Sequence, residues 1–414
     1  WPVRVALLGE RDRLKGDAAL NAERWTGEVV PLEEAALDGA GVVIDALFGA
    51  GLGRPLEGAP YDVVRAVADR RLPCVAVDIP SGVHGDTGAI HGTAPACDLT
   101  VTFFRRKPGH LLYPGRARCG RVVVADIGIP EAVLSDIAPG TAANEPAVWA
   151  GGFPRPDPAS HKWSRGSLVI GGGRRVTGAT RLAARAARRV GTGLVTVVAP
   201  SESFQAYALD QAGLLVQPVD HVADFFDVVS HERHHALLVG PGHGVDDHAR
   251  THVAEMLRTG KPVVLDADAL TTFADAPQDL FERLHGGCLL TPHDGEFARL
   301  FEATGDRLTR ARAAAQACGA TVLLKGPDTV VAAPDGRAVI NTNAPPDLAT
   351  GGSGDILSGL AAGLMAQGMA PFHAGAAAAW LQGAAAGRLG AGLIAEDLAE
   401  TLPAVLAGLT EGAP

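Results

Sequence analysis

The sequence has few cysteines, few aromatic residues and no long apolar run. Its five cysteines are scattered without a CxxC pair, so neither a disulfide framework nor a zinc site is indicated. No apolar run reaches the roughly 18 residues of a membrane-spanning helix, which argues against membrane insertion. The chain enters a strand-like segment directly after Trp1, which we interpret as a clipped start and not as a signal peptide. We therefore expect a cytoplasmic protein.

Positive charge is also scarce, with 36 Lys and Arg residues against 46 Asp and Glu residues and a formal net charge of −10. Non-specific nucleic-acid binding requires basic surface, so it is excluded as a general function, and a nucleotide would need a local site. Hydrophobic residues make up 47% of the chain, with 52 glycines and 28 prolines, which is typical of a soluble, loop-rich enzyme. A length of 414 residues predicts two cores.

Alternating strand-like and helix-like patterns predict an α/β protein with two domains. In residues 1–145 they indicate βα units on a mostly parallel sheet. The predicted strands there are Val3–Leu8, Val42–Phe48, Cys74–Ile79, Leu99–Phe104 and Arg121–Asp126. Residues 146–160 are rich in proline and glycine, which predicts a linker.

Residues 161–414 predict a second α/β domain. Its predicted strands are Ser167–Ile170, Leu194–Ala199, Ala236–Val239, Pro262–Asp266, Cys288–Leu290, Thr321–Leu324 and a hairpin over Thr329–Ile340. The chain then predicts three helices, Asp355–Ala366, His373–Leu389 and Asp397–Leu406. The last of these should be bent or split at Pro403.

The segment Thr350–Asp355 combines glycines, a helix start and a carboxylate on the first helical turn. Unpaired N–H groups and the helix dipole bind anions at such a position, so developing phosphate charge would be stabilised there. Asp355 could then act as a general base. The alternative is an ordinary glycine-rich turn in which Asp355 only caps the helix.

Other predicted strands of this domain also end in polar or glycine-rich segments. These are Gly240–Gly244, the pair Asp266 and Asp268, Thr291–Glu296, and Lys325-Gly326. Because parallel strands end at one edge of a sheet, these segments should share a rim. Each has a simpler explanation: the two aspartates could be strand-end caps, His293 or its neighbouring carboxylates could cap a helix, and Lys325 could lie on the surface.

In the first domain, a glycine-rich turn over Asp45–Pro55 follows one predicted strand, and Asp78–Gly82 ends the next. Such a turn can hold a pyrophosphate, but its glycine spacing is not that of the GxGxxG fingerprint. The two strand ends could be neighbours.

The ordered motifs of the second domain resemble the NAD(P)H-hydrate dehydratase family over roughly residues 155–410. They are HKWSRG at 161–166, GGG at 171–173, GPGHG at 240–244, LDADAL at 265–270, LTPHDGE at 290–296, LLKG at 323–326 and ATGGSGDILSG at 349–359. The first domain resembles the NAD(P)H-hydrate epimerase domain through KGDAALN at 15–21, DALFGAGLGRPLEG at 45–58 and DIPSGVHGDTG at 78–88. The implied fold is a partial Rossmann-like doubly wound sheet followed by a ribokinase-like α/β domain.

The resemblance implies repair of nicotinamide cofactors whose reduced ring has taken up water. Using ADP with Mg²⁺, the dehydratase would phosphorylate the ring hydroxyl of (6S)-NAD(P)H hydrate and eliminate the phosphate, with Asp355 as the base. The implied ADP-binding residues are Lys325, Gly326, Pro327, Asp328, Thr329 and Gly354. The implied hydrate contacts are Ala179, Gly242, Gly244, His293 and Asp355, and the implied anion hole is Gly351, Gly352, Ser353 and Gly354.

For the first domain, the resemblance implies interconversion of the (6R)- and (6S)-hydrates. Asp45 and Ser81 would bind K⁺, and Asp78 would contact the substrate and accept a proton. The implied substrate loop is Gly49, Ala50, Gly51, Leu52, Gly53, Arg54 and Pro55. The family's Asn- and Gly-rich loop should precede Trp1, so we expect this chain to be a fragment without epimerase activity, unlike the complete protein. A homo-oligomer such as a tetramer is also implied.

Two other functions fit parts of the pattern. A ribokinase-like small-molecule kinase would use the same glycine-rich loop and Asp355 but would release a stable phosphorylated product. A non-catalytic binding protein would retain only a vestigial nucleotide site, and the presence of Lys325, His293 and Asp355 together argues against it.

Overall fold

The computed structural model describes residues 1–411, which divide into two compact units, Trp1–Pro139 and a second that begins at Gly140. Both units are α/β structures built on parallel sheets, as the sequence predicts. All five cysteines are buried thiols. Within the described residues, no helix is both long enough and apolar enough to cross a membrane.

The first unit contains two parallel sheets. Strands β1 (Arg4–Leu7) and β2 (Glu28–Pro31) pair with each other, and α1 (Gly16–Arg24) lies between them in the chain. The larger sheet has the order β3 (Val43–Asp45), β4 (Cys74–Val77), β5 (Leu99–Phe103) and β6 (Arg121–Ala125). The remaining helices are α2 (Ala59–Asp69) and α3 (Val133–Ile137). The five predicted strands are all present in shorter form, and β2 was not predicted.

Helix α2 covers the larger sheet of this unit because its apolar residues recur at helical spacing. Val63 and Val67 lie one turn apart and are both buried in a core that includes Cys74 and Ala76 of β4. Pro60 stands at the beginning of the helix, where its missing N–H has no intrahelical partner to lose. The ends of β3 and β4 lie side by side beneath the helix because the two strands pair in parallel.

The second unit has a ten-stranded sheet in which only β15 runs antiparallel to its neighbours. Its strands are β7 (Thr141–Ala143), β8 (Ser167–Gly171), β9 (Leu194–Ala199), β10 (Leu215–Pro218), β11 (Ala236–Val239), β12 (Val263–Leu265), β13 (Cys288–Leu290), β14 (Thr321–Leu324), β15 (Val330–Ala332) and β16 (Ala338–Ile340). Their order is β10-β9-β8-β11-β12-β13-β14-β15-β16-β7. The predicted strands and the hairpin are confirmed, whereas β7 and β10 were not predicted.

The helices of this unit cover the sheet and frame the strand ends. They are α4 (Pro146–Trp149), α5 (Thr177–Arg189), α6 (Phe204–Ala208), α7 (Val222–Ser230), α8 (Asp247–Arg258), α9 (Asp268–Thr271), α10 (Pro277–Phe281), α11 (Asp294–Leu300), α12 (Arg307–Cys318), α13 (Ser353–Ala366), α14 (Pro371–Leu389) and α15 (Ala395–Glu411). The three predicted C-terminal helices are present as α13, α14 and α15. Helix α15 continues through Pro403 and is not split there, and Leu402 and Val405 on either side are buried in the core.

The predicted linker over residues 146–160 and the domain end at 145 need correction. Strand β7 pairs with β16, and the Asn144 side-chain amide donates to the Ala376 carbonyl at 2.7 Å. Trp149 of α4 is only 2% exposed within the core of the second unit. The second unit therefore begins at Gly140. Pro146, at the beginning of the predicted linker, starts a helix, where proline is tolerated, and does not mark a flexible link.

Helix α13 is almost completely buried and packs closely against α5. A Cβ atom on Gly359 would lie 2.2 Å from the Ala183 carbonyl oxygen, so no side chain fits between the two helices at this point. This close approach fixes the position of the beginning of α13 relative to the sheet.

We predict that Gly359→Ala destabilises the second unit by about 1–3 kcal/mol, because the added methyl group forces α5 and α13 apart. Gly387→Ala in α14 is the matched control, since no described atom outside the adjoining helix backbone lies within 4 Å of its Cβ position. That control should stabilise the protein by roughly 0.5–1 kcal/mol through helix propensity. Chemical denaturation of both variants checks the prediction, which fails if the two substitutions shift stability in the same direction.

Candidate active site

The strand ends of the second unit bring together a buried cation and several carboxylates. The Lys325 ammonium, after β14, lies 2.8 Å from an Asp266 carboxylate oxygen, after β12. It also lies 3.7 Å from a carboxylate oxygen of Glu296, in the helix that follows β13. Asp266 is only 1% exposed. Three motifs that are separate in the sequence therefore meet at one sheet edge, as predicted from their positions after parallel strands.

The beginning of α13 lies beside this cluster. Gly352 precedes the helix with a φ of 89°, a left-handed conformation that glycine adopts without strain. A Cβ atom on Gly354 would be 3.5 Å from the Lys325 ammonium nitrogen, so the first helical turn and the cation border the same space. N–H groups at a helix start together with a nearby cation form an arrangement that binds phosphate.

Asp355, on the first turn of α13, has an unusual protonation equilibrium. Burial and the neighbouring Asp266 raise its pKa to about 7, with smaller contributions from Asp268 and Glu296, although Lys325 opposes the shift. Lys325 itself stays protonated: burial disfavours its charge, but Asp266 and Glu296 outweigh burial and raise its pKa. Near neutral pH, Asp355 can therefore both accept and release a proton.

A second group of residues lies beside Asp268. It consists of the glycine turn that follows β11 and the beginning of α5. The Gly244 amide donates to an Asp268 carboxylate oxygen at 2.8 Å. A Cβ atom on Gly242 would be 3.4 Å from the Ala179 methyl group and only 2.0 Å from the Val176 carbonyl oxygen. The predicted hydrate contacts Ala179, Gly242 and Gly244 therefore lie together, because glycine allows the turn to approach α5 closely.

His293 is the N-cap of α11, as in the simpler of its two interpretations. Its Nδ1 accepts from the amides of Gly295 and Glu296 at 2.9 and 3.2 Å, and the Glu296 carboxylate accepts from the His293 amide at 2.9 Å. The side chain remains 57% exposed. The ring thus fixes the helix that carries Glu296, while more than half of the side chain stays accessible.

The segment Lys325–Thr329 forms a compact turn that Arg307 holds in place. The Thr329 hydroxyl accepts from the Gly326 amide at 3.1 Å. Arg307 donates to the Lys325 carbonyl oxygen and to the Asp328 carboxylate, both at 2.8 Å. Arg307 was not predicted from the sequence, because it begins α12 and is distant from any motif.

In the first unit, Asp45 and Ser81 are in direct contact, as expected for neighbouring strand ends. The Ser81 hydroxyl and amide donate to the Asp45 carboxylate at 2.6 and 2.7 Å. Burial raises the pKa of Asp45, although the hydrogen bonds from Ser81 oppose the shift. Among the residues that the structure describes, no cationic side chain forms an ion pair with Asp45.

Asp78 links the glycine-rich loop to a lysine that sequence reasoning missed. Its carboxylate accepts from the Ala50 amide at 3.1 Å, from the Thr102 hydroxyl at 3.0 Å and from the Lys107 ammonium at 2.5 Å. Burial acts against ionisation, but these donors outweigh it and hold the pKa of Asp78 below its usual range. His110 Nε2 lies 2.8 Å from the Asp78 carbonyl oxygen. Lys107 follows the end of β5 in the sequence, as Asp78 follows the end of β4. Its position after a strand end was the sequence signal that could have identified Lys107 as a site residue.

The loop over residues 49–55 borders a cavity of about 540 Å³. The predicted loop residues that line it are Gly49, Gly51, Leu52, Gly53 and Arg54. Ala50 contributes its amide to Asp78, and Pro55 does not line the cavity. This volume falls within the range of small-molecule sites.

The second unit has the fold and the polar sheet edge of ribokinase-like, nucleotide-using enzymes. A ribokinase-like superfamily protein from Enterococcus faecalis superposes on 65% of this chain and 96% of its own, with a TM-score of 0.58 and 23% identity. An ADP/ATP-dependent NAD(P)H-hydrate dehydratase from Bacillus subtilis, co-crystallised with ATP and Mg²⁺, covers 64% of this chain and 98% of its own at 26% identity, with a TM-score of 0.55.

Residues 167–404, more than half of the chain, match the family described as NAD(P)H-hydrate dehydratase, and residues 1–109 match the family described as YjeF-related protein N-terminus. A bifunctional NAD(P)H-hydrate repair enzyme, Nnr, from Salinibacter ruber is 37% identical over 98% of this chain and 82% of its own length. Its counterpart from Moorella thermoacetica is 36% identical over 99% and 83%. The chain belongs to the family of bifunctional NAD(P)H-hydrate repair enzymes.

We predict that Asp355→Asn stabilises the ligand-free protein above pH 7 and has little effect near pH 4. The folded-state pKa of about 7 exceeds the ordinary value, so the folded protein binds the extra proton and native stability falls as the pH rises between about 4 and 7. The amide removes this loss, and we expect a melting temperature several degrees higher at pH 8. Asp227→Asn, at an exposed position of α7, is the control. A difference between Asp355→Asn and wild type that does not change with pH would contradict the assignment.

Proposed function

We propose that the second unit dehydrates NAD(P)H hydrate at the expense of a nucleotide, with ADP as the phosphoryl donor. The observation that carries this proposal is the position of Asp355, a carboxylate with a pKa near 7, on the first turn of α13 beside the Lys325 ammonium. Family membership and the B. subtilis dehydratase support the choice of substrate.

In the proposed reaction, Asp355 accepts the proton of the ring hydroxyl as the hydroxyl oxygen attacks the terminal phosphoryl group of the nucleotide. The bond from that phosphorus to the bridging oxygen breaks, and the shortened nucleotide leaves. Backbone amides of the anion hole, Gly351, Gly352, Ser353 and Gly354, offset the charge that develops on the phosphoryl oxygens. Departure of the phosphate from the ring, with loss of a ring proton, then restores the double bond of NAD(P)H.

The nucleotide would occupy the edge formed by Lys325, Gly326, Pro327, Asp328, Thr329 and Gly354. Lys325 supplies a positive charge at the phosphates, and Arg307 acts as a positioning residue that keeps the Lys325–Asp328 turn in place. Among the described residues, no group of three or more potential ligands is arranged to hold a metal ion. Mg²⁺ would accordingly enter with the phosphates, as it commonly does in phosphoryl-transfer sites.

The hydrated dinucleotide would lie on the other side of Asp355, against Ala179, Gly242, Gly244 and the exposed side chain of His293. The Gly244–Asp268 hydrogen bond, which joins the glycine turn to the carboxylate cluster, supports this placement. The ring hydroxyl would then face Asp355 from the side opposite the nucleotide.

We predict that Asp355→Asn retains nucleotide affinity but loses about 100- to 10,000-fold in turnover, because the general base is removed while the amides and Lys325 remain. The assay incubates the protein with hydrated NADH and ADP or ATP and follows absorbance recovery and phosphate release. Asp347→Asn, a carboxylate outside the cluster, is the control and should stay active. Unchanged turnover in Asp355→Asn would remove it from the mechanism, whereas a stable phosphorylated product from wild type would indicate a small-molecule kinase.

We further propose that the first unit serves the interconversion of the (6R)- and (6S)-hydrates, with Asp78 at the substrate and the loop 49–55 around it. K⁺ fits the oxygen atoms of Asp45 and Ser81, because the buried carboxylate has no cationic partner among the described residues and oxygen ligands suit this hard cation. A bound K⁺ would supply positive charge beneath the substrate loop.

We predict that KCl raises the melting temperature of the first unit more than choline chloride does at equal ionic strength, because K⁺ binds only the folded protein. Ser81→Ala should reduce this difference, and Asp45→Asn should abolish it. Asp69→Asn, at an exposed position of α2, is the control that retains it. Equal shifts in the two salts for the wild-type protein would contradict a K⁺ site.

We also propose that the protein works in the cytoplasm as a homo-oligomer, for example a tetramer. Five buried thiols are compatible with a reducing compartment.

A further inference from the structure

The second unit has a cavity of about 510 Å³ that lies apart from the candidate active site. Thr192 and Gly193, which precede β9, contribute to its wall. The Asp266–Lys325 cluster instead follows the carboxyl ends of parallel strands in the same sheet. The cavity therefore opens at the opposite end of the sheet, where none of the residues assigned to nucleotide or hydrate binding lies.

Side chains of α5 give this cavity an excess of positive charge. Arg185, Arg188 and Arg189 line it together with Glu400 of α15. Arg185 lies 3.9 Å from the Glu400 carboxylate, and Arg189 is hydrogen-bonded to the same carboxylate. One negative charge thus faces three positive charges within the cavity.

The neighbouring carboxylate, Asp210, does not restore the balance. It lies 2.7 Å from Arg181 and 3.5 Å from Arg185, and its side chain is 6% exposed. With Arg181 and Asp210 included, four arginines face two carboxylates, an excess of two positive charges. The carboxyl end of α5 contributes about half a negative charge from the helix dipole, which is too little to cancel this excess.

Arg188 is the arginine whose polar partner is neutral. Its guanidinium donates to the Gln211 side-chain oxygen at 2.6 Å, and within the described residues it forms no ion pair with a carboxylate. A Cβ atom on Gly213 would lie 2.2 Å from a terminal nitrogen of Arg188, so glycine is required for the guanidinium to occupy this position. Both Gln211 and Gly213 line the cavity. The guanidinium is therefore held in the cavity wall by neutral groups, and its charge stays available.

We propose that this cavity is a second anion site, separate from the active site, that binds a ligand carrying an oligophosphate chain. Arginine forms paired hydrogen bonds to phosphate oxygens. Several arginines on one helix therefore suit a ligand with several adjacent phosphates better than a ligand with a single carboxylate. The cavity volume falls within the range of small-molecule sites. The oligophosphate could come from a nucleoside triphosphate or from inorganic polyphosphate.

Calorimetric titration at low ionic strength with inorganic tripolyphosphate, and separately with ATP, tests this site. Arg188→Gln should weaken tripolyphosphate binding by roughly ten-fold, because a charge-assisted contact is lost while both carboxylates keep their partners. Glu400→Gln should strengthen it, because a repulsive charge is removed from the cavity. Arg258→Gln, which removes an exposed arginine paired with Glu255 in α8, is the matched control and should change nothing.

The ligand source follows from the two titrations. If Arg188→Gln weakens the binding of tripolyphosphate alone, the cavity is assigned to free polyphosphate. If it weakens the binding of ATP equally, the cavity is assigned to a nucleotide. The proposal is overturned if tripolyphosphate binding is unchanged in both Arg188→Gln and Glu400→Gln, or if Arg258→Gln weakens it as much as Arg188→Gln does. Dehydratase turnover of Arg188→Gln should equal that of wild type, which shows that the variant is folded and keeps this test independent of the proposed reaction.

Discussion

The buried ion pair between Lys325 and Asp266 is the interaction on which the candidate active site depends. A carboxylate that is 1% exposed would be costly without a partner, and the ammonium group 2.8 Å away offsets part of that cost. Because Asp266 follows β12 and Lys325 follows β14, the pair also fixes two strand ends relative to each other. Glu296, after β13, completes the cluster at 3.7 Å. One cation thus organises three segments that are distant in sequence.

The same cation explains why Asp355 can be a base near neutral pH. Burial and the carboxylates around Asp355 would keep it protonated, and Lys325 offsets part of this effect, so that its pKa is about 7. A second lysine at this edge would lower the pKa of Asp355 and weaken it as a base, whereas loss of Lys325 would leave it protonated. The number of charges in the cluster therefore determines whether Asp355 of α13 can act as a base, and not only how stable the cluster is.

Much of this arrangement could be predicted because it follows from local patterns. Short apolar runs ending in Asp266 or Lys325 indicate parallel strands whose ends share an edge, and glycines before Asp355 indicate a helix start. Arg307 could not be predicted in the same way, because it acts through a contact formed only on folding. Lys107 does follow a strand end, but its contact with Asp78 could not be predicted because it also forms only on folding. The edge strand β7 was missed for a similar reason: its three residues have no periodicity, and their pairing with β16 is decided by tertiary structure.

The two aspartates proposed for catalysis show how surroundings decide the role of one residue type. Asp78 accepts hydrogen bonds from Lys107, Thr102 and the Ala50 amide, which together outweigh burial and lower its pKa. Among the residues that the structure describes, Asp355 has no comparable set of donors, so burial and neighbouring carboxylates dominate and raise its pKa. Asp78 is therefore charged near neutral pH and suited to orienting a substrate and its loop, while Asp355 is suited to gaining and losing a proton. The two units are consequently expected to respond differently to pH, even though each relies on an aspartate at its site.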